Sequence, residues 1–206
     1  MTTPENPPTR SFPVPAGADH ALIVVDLQHD FADPCGSLYV RGAEEIVAPI
    51  VQAIADTRAA GGYVVYTQDW HPRETPHFAE FGGLWPVHCV IGSPGAQMLP
   101  GVPVDGPVVR KGSGPEDGYS GFSVRHLPTG QHRETGLSQI LDENGIMAIT
   151  IVGLAGDCCV QETAVDGIRL GYRVTVPLAM TRFVGLRPGD EAAAIARMRE
   201  AGVTLV

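Results

Sequence analysis

The chain has 206 residues, 44% of them hydrophobic, and 14 basic against 23 acidic side chains give a net charge of −9. That length and apolar content suit one well-buried domain and are too small for two comfortable ones. The acidic balance argues against a nucleic-acid backbone or an anionic membrane as partner, and no apolar run approaches the roughly 20 residues of a membrane helix.

The chain opens with "MTTPENPPTRSFPVPAG", a Pro-rich polar stretch without the apolar core of a signal peptide. Residues 1–19 are expected to form an arm, and residues 20–206 a single domain. Without a secretory signal the cysteines, Cys35, Cys89, Cys158 and Cys159, are expected to be reduced, and the protein cytoplasmic. "ALIVVD" (21–26) is a continuous apolar run, which predicts a strand buried on both faces. A helix follows over 43–60, ended by Gly61 and Gly62, and then a strand over 63–68. The stretch 69–106 breaks the rhythm: it is rich in Gly and Pro and carries Trp70, Trp85, His71, His77 and His88. A connection of that length inside a compact domain is usually functional.

The rhythm then resumes. A strand over 107–111 leads into an irregular segment to residue 122, and a helix is predicted over 134–144, ended by Gly145. Strand 147–153, helix 159–170, strand 172–177, helix 190–201 and strand 203–206 complete the chain, with Gly171 and Gly202 closing the last two helices. Glycine supplies the left-handed residue that stops a helix. The repeated order of strand, helix, Gly and strand predicts right-handed crossovers and a parallel sheet.

Reactive residues collect at the carboxyl ends of these strands, where open parallel sheets hold their sites. Asp26 ends the first strand, Asp69 follows the second, Lys111 ends the third, and the helix after the fourth opens in "GDCCV". Alone, Asp26 reads as a loop cap, Lys111 as a solvated cation and a cysteine as a small buried apolar group. Together they read as chemistry, because a carboxylate can take a thiol's proton while an ammonium stabilises the anion. A helix N-terminus is expected to favour the thiolate. With Asp157 as N-cap, either Cys158 or Cys159 can occupy that first turn.

"DWHPRETPH" (69–77) and "WPVHC" (85–89) raise a second possibility. In extended chain, residues two apart share a side, so Asp69 and His71 can share one ion. His77 returns through the Pro-bounded loop, and His88 adds a third imidazole. One carboxylate and three imidazoles suit a divalent Zn, Fe or Mn ion. The plain alternative is a polar loop with scattered histidines. Cys89, on the opposite side from His88, reads as packing.

The segments "VVDLQHDF" (24–31), "DWHPRETPH", "WPVHCVIGSPGA" (85–96), "YSGF" (119–122) after Lys111–Gly112, and "VGLAGDCCVQETA" (152–164) resemble the nicotinamidase (pyrazinamidase) branch of the isochorismatase-like cysteine hydrolases. The resemblance implies a three-layer α/β/α fold with a six-stranded parallel sheet in the order 3-2-1-4-5-6. It implies a triad of Asp26, Lys111 and Cys159, and so assigns the nucleophile to Cys159 rather than Cys158. It further implies a cis peptide at Leu154–Ala155, an oxyanion hole from the Ala155 and Cys159 N–H groups, and pocket aromatics Phe31, Trp85 and Tyr119. The implied reaction converts nicotinamide to nicotinate and ammonia through a cysteine thioester. The Asp69/His71/His77/His88 metal would then dock the pyridine nitrogen. A homo-oligomer fits the family. The rivals are a related hydrolase of another small amide (maleamate or carbamoyl-amine type), a metallohydrolase whose ion activates water, and a non-catalytic metal-binding protein.

Overall fold

The computed structural model describes residues 17–206; the expected arm of residues 1–19 falls almost wholly outside them. Strand β1 (His20–Val25) is followed by a single turn, α1 (His29–Ala32), then by α2 (Ala43–Ala59), β2 (Tyr63–Asp69) and β3 (Val108–Lys111). Three short strands come next, β4 (Glu116–Asp117), β5 (Ser123–His126) and β6 (His132–Glu134). The chain continues through α3 (Leu137–Glu143), β7 (Ala148–Leu154), α4 (Cys159–Arg169), β8 (Arg173–Val176), β9 (Thr181–Arg182), α5 (Asp190–Ala201) and β10 (Thr204–Leu205).

The main sheet runs β10-β8-β7-β1-β2-β3, and every pairing in it is parallel. Counting only the six strands expected from sequence, this is the order 3-2-1-4-5-6. A seventh strand, β9, extends the sheet beside the end of β7, pairing Thr181 with Gly153 and Arg182 with Leu154.

Alternation along β1 explains the three layers. Leu22 and Val24 pack with Ile46, Ile50 and Ile54 of α2 on one face. Ala21, Ile23 and Val25 pack on the other with Leu137 and Leu141 of α3, Val160 and Ala164 of α4, and Met198 of α5. All six residues of β1 are buried. A strand covered on both faces has no polar side to show, hence its unbroken apolar sequence. The glycines behave as expected: Gly61, Gly145, Gly171 and Gly202 all have positive φ after their helices. Among the described residues, no helix is long and apolar enough to cross a membrane.

Two expectations are corrected. The helix expected from residue 134 begins at Leu137, because Glu134 belongs to β6, paired with Ser123. Gly136 at φ 96° and the Thr135 hydroxyl, which accepts the Leu137 N–H at 3.2 Å, set the start. The irregular segment after β3 holds the beginning of a separate antiparallel sheet, β4-β5-β6. Its strands are two to four residues long, too short to show a period-two pattern.

Leu22→Ala should test the two-sided core. The side chain is fully buried in a central strand, so its removal should cost about 2–5 kcal/mol in chemical denaturation. A loss well below 1 kcal/mol would mean that the site collapses freely around the cavity.

Candidate active site

Register brings the strand ends together. Asp69 pairs with Lys111 across β2 and β3, and Val25, just before Asp26, pairs with both Thr67 and Gly153. Asp26 leaves β1 in a left-handed conformation, φ 50°, which costs a non-glycine residue about 1–2 kcal/mol. Its carboxylate is anchored by the Thr67 hydroxyl, which donates to Oδ1 at 2.6 Å. Lys111 is completely buried. Its Nζ lies 2.8 Å from Asp26 Oδ2, contacts Asp69 Oδ1, and donates to Cys159 Sγ at 3.4 Å. One ligand atom each from Asp26, Asp69 and Cys159 lies within 4.8 Å of the other two.

Cys159 is the first residue of α4, as expected, but Asp157 is not its N-cap. The Asp157 carboxylate instead accepts the Val184 and Gly185 N–H groups at 2.9 and 2.8 Å, tying down the chain after β9. Burial holds the Cys159 thiol well above its ordinary pKa; Lys111 pulls it down, while Asp26 and Asp69 push it up again. Desolvation thus opposes the thiolate that the helix end was expected to favour. Burial likewise raises the Asp26 carboxyl against the pull of Lys111, which makes it a better proton acceptor. Burial would lower Lys111 and raise Asp69, but opposite charges win: Asp26 and then Asp69 hold Lys111 well above its ordinary value, and Lys111 holds Asp69 well below.

Asp69 faces two ways. While Oδ1 meets Lys111, Oδ2 lies 3.5 Å from His71 Nε2 and 3.8 Å from His88 Nε2. One nitrogen each of His71, His77 and His88 lies within 4.8 Å of the others, and all three residues are buried. Their Nδ1 atoms point outward to acceptors: Gly112 O at 3.0 Å, Asp117 Oδ1 at 3.1 Å and Pro86 O at 2.7 Å respectively. An imidazole that donates from Nδ1 keeps its Nε2 lone pair free. His71 Nε2 is buried without any hydrogen-bond partner. Asp26 and Asp69 also place two buried carboxyl groups against the single Lys111 ammonium. A free lone pair in a buried imidazole cluster beside the second oxygen of Asp69 is what a divalent cation satisfies. The residues therefore fit a metal ion.

The pocket above these groups encloses about 450 Å³ including its open mouth. Phe31, Trp85 and Tyr119 line it, with Ala155, Cys159, His77 and His88. The Trp85 indole N–H donates to the Tyr119 hydroxyl at 2.8 Å. The Leu154–Ala155 peptide is cis. Among the described residues, the Ala155 and Cys159 N–H groups have no acceptor outside the helix and strand ladders. Cys89 packs in the core as read from sequence. Cys158 shares the pocket wall, as do Leu38, Val40 and Val184 from loops whose sequences carry no chemical signature.

Other supporting residues escaped the sequence. Gln28 is fully buried and grips the Asp69 backbone, accepting its N–H at 2.8 Å and donating to its carbonyl at 2.8 Å. Thr163 accepts the Gly121 N–H at 2.8 Å and donates to the Cys159 carbonyl at 2.6 Å, joining α4 to the Tyr119 loop. Both residues stood inside segments singled out above, but a Gln or Thr gives no signal of its own.

Fold and site together define a doubly wound α/β protein with a lysine-paired thiol and a candidate metal cluster in one small pocket. The isochorismatase domain family matches residues 20–206, and the chain belongs to that family. It is 34% identical over 203 residues to the nicotinamidase of Escherichia coli K12, covering 90% of this chain and 93% of the relative. The pyrazinamidase of Pyrococcus horikoshii in complex with zinc superposes with a TM-score of 0.81 at 34% identity, covering 91% of this chain and 98% of that one. PnC1 of L. infantum in complex with nicotinate superposes with a TM-score of 0.85 at 35% identity, covering 94% and 95%.

Gly112 has φ 72°, and a Cβ there would collide with the His71 ring. Gly112→Ala should therefore displace that imidazole and reduce the zinc bound per chain, measured by competition with a chromogenic chelator. Zinc binding equal to that of the native chain would show that His71 needs no such clearance.

Proposed function

We propose that the protein hydrolyses nicotinamide to nicotinate and ammonia, with Cys159 as nucleophile. The observation that carries this reading is the Lys111 ammonium, which touches the Cys159 sulfur and both carboxylates, Asp69 among them turning its other oxygen to the imidazoles. One pocket thus holds a nucleophile, a base and an anchor for a ring. The relatives named as nicotinamidases and pyrazinamidase support the choice of substrate.

Asp26 takes the Cys159 proton as sulfur attacks the carboxamide carbon. Lys111 offsets the negative charge of the triad. The oxyanion is received by the Ala155 and Cys159 N–H groups, each donor being worth about 3 kcal/mol. Asp26 returns the proton to the leaving nitrogen, which departs as ammonia and leaves a thioester on Cys159. Asp26 then takes a proton from water as it attacks the thioester, releasing nicotinate and restoring the thiol. Phe31, Trp85 and Tyr119 enclose the ring. A divalent ion (Zn, Fe or Mn by its donor set) held by Asp69, His71, His77 and His88 would supply a Lewis-acid anchor for the pyridine nitrogen. Residues 20–206 act here as one hydrolase domain.

Cys159→Ala should abolish ammonia release from a folded protein. Cys158→Ala should keep the thioester chemistry and alter KM instead, because its side chain lines the wall while Lys111 donates to the neighbouring sulfur. Asp26→Asn preserves shape and removes the base, so the rate should fall at least ~10²-fold. Near-normal turnover by the Asn variant would remove Asp26 from the mechanism.

Substrate docking by the metal can be separated from chemistry with benzamide, which keeps the carboxamide but lacks the ring nitrogen. Metal removal should lower kcat/KM for nicotinamide far more than for benzamide, since a contact worth ~2–4 kcal/mol disappears for nicotinamide alone. An equal fall for both amides, in protein shown to be folded by circular dichroism, would favour direct participation of the ion in hydrolysis.

A further inference from the structure

We propose that Asp117 is a positioning residue of the metal site, holding His77 in the tautomer and orientation that present Nε2 to the ion. The inference rests on the metal reading above and extends it to a residue outside the pocket. His71 and His88 direct Nδ1 to backbone carbonyls, those of Gly112 and Pro86. His77 alone directs Nδ1 to a carboxylate, Asp117 Oδ1 at 3.1 Å. An ionised carboxylate only accepts, so Nδ1 carries a proton, and in the neutral imidazole that leaves the lone pair on Nε2. The carboxylate's charge also makes the imidazole a stronger donor to a cation, which a neutral carbonyl does less well.

The Asp117 side chain is itself fixed. It is 12% exposed, and Arg125 Nη2 donates to its other oxygen at 2.6 Å. Asp117 and Arg125 are register partners across β4 and β5, so the small antiparallel sheet sets that pairing. The sheet starts five residues beyond Lys111, and its first strand reaches the metal loop. The same segment supplies Gly112 O to His71 and Gly114 O to the Thr75 hydroxyl at 3.4 Å. Among the described residues, His77 has only long main-chain contacts, its N–H with the Thr75 hydroxyl and its carbonyl with the Trp85 N–H, each at 3.4 Å. It ends the Pro-bounded loop and lines the pocket, whereas His71 is fully buried and held through its main chain by Cys89 and Ile91.

The test uses the full chain and zinc alone, with the dissociation constant from chelator competition and the unfolding midpoint of the metal-free protein measured in parallel. Asp117→Ala should weaken zinc binding roughly 10–100-fold while leaving the metal-free midpoint unchanged. Activity lost in that variant should return at saturating zinc. Asp117→Asn can still accept from Nδ1 through its amide oxygen, so it should lose less affinity; it also decides the matter if the Ala variant does not fold. Native zinc affinity in Asp117→Asn and Asp117→Ala alike would overturn the positioning role and leave the metal reading intact. An equal loss of metal-free stability without loss of affinity would reduce Asp117 to a structural residue. If the native chain itself fails to bind zinc or another divalent ion, the metal reading and this inference fall together.

Discussion

A buried ammonium organises this site. Lys111 has no exposed surface, and an isolated charge there would cost several kcal/mol even after relaxation. It is tolerated because Asp26, Asp69 and the Cys159 sulfur surround it. Each partner is in turn held from outside: Asp26 by Thr67, Asp69 by Gln28, and Cys159 by Thr163. Removing Lys111 would leave two buried carboxylates facing each other without a counter-charge, so the ammonium is the member the cluster depends on. Burial raises both the Cys159 thiol and the Asp26 carboxyl above their ordinary pKa values.

Asp69 joins this cluster to the imidazoles. Its two oxygens belong to different neighbourhoods, one at the ammonium and one at His71 and His88. The link arises from simple geometry, since Asp69 and Lys111 are register partners at the ends of adjacent parallel strands. The imidazole cluster and the Cys159 sulfur are thereby held at a fixed, short separation across Asp69 and Lys111. A large part of the catalytic advantage in such a site comes from orientation.

The long connections are where the site is completed. The segment between β2 and β3 carries His71, His77, Trp85 and His88, while the one after β3 carries Gly112, Asp117 and Tyr119. They brace each other through the Gly112–His71, Asp117–His77 and Trp85–Tyr119 hydrogen bonds. Neither connection would hold the geometry alone.

The sequence by itself determined the alternation of strands and helices, their glycine stops, and the gathering of Asp26, Asp69, Lys111 and the two adjacent cysteines at strand ends. These are local or periodic properties, written in runs of apolar residues and in spacing. It could not choose between Cys158 and Cys159 without a family resemblance, and it misjudged the start of α3 and the role of Asp157. Only the tertiary structure decided that Lys111 meets both carboxylates, that Gln28 grips Asp69, and that Asp117 meets His77. These contacts join residues about 40 or more positions apart. Their energies depend on burial and on charges from other strands, which no local pattern encodes.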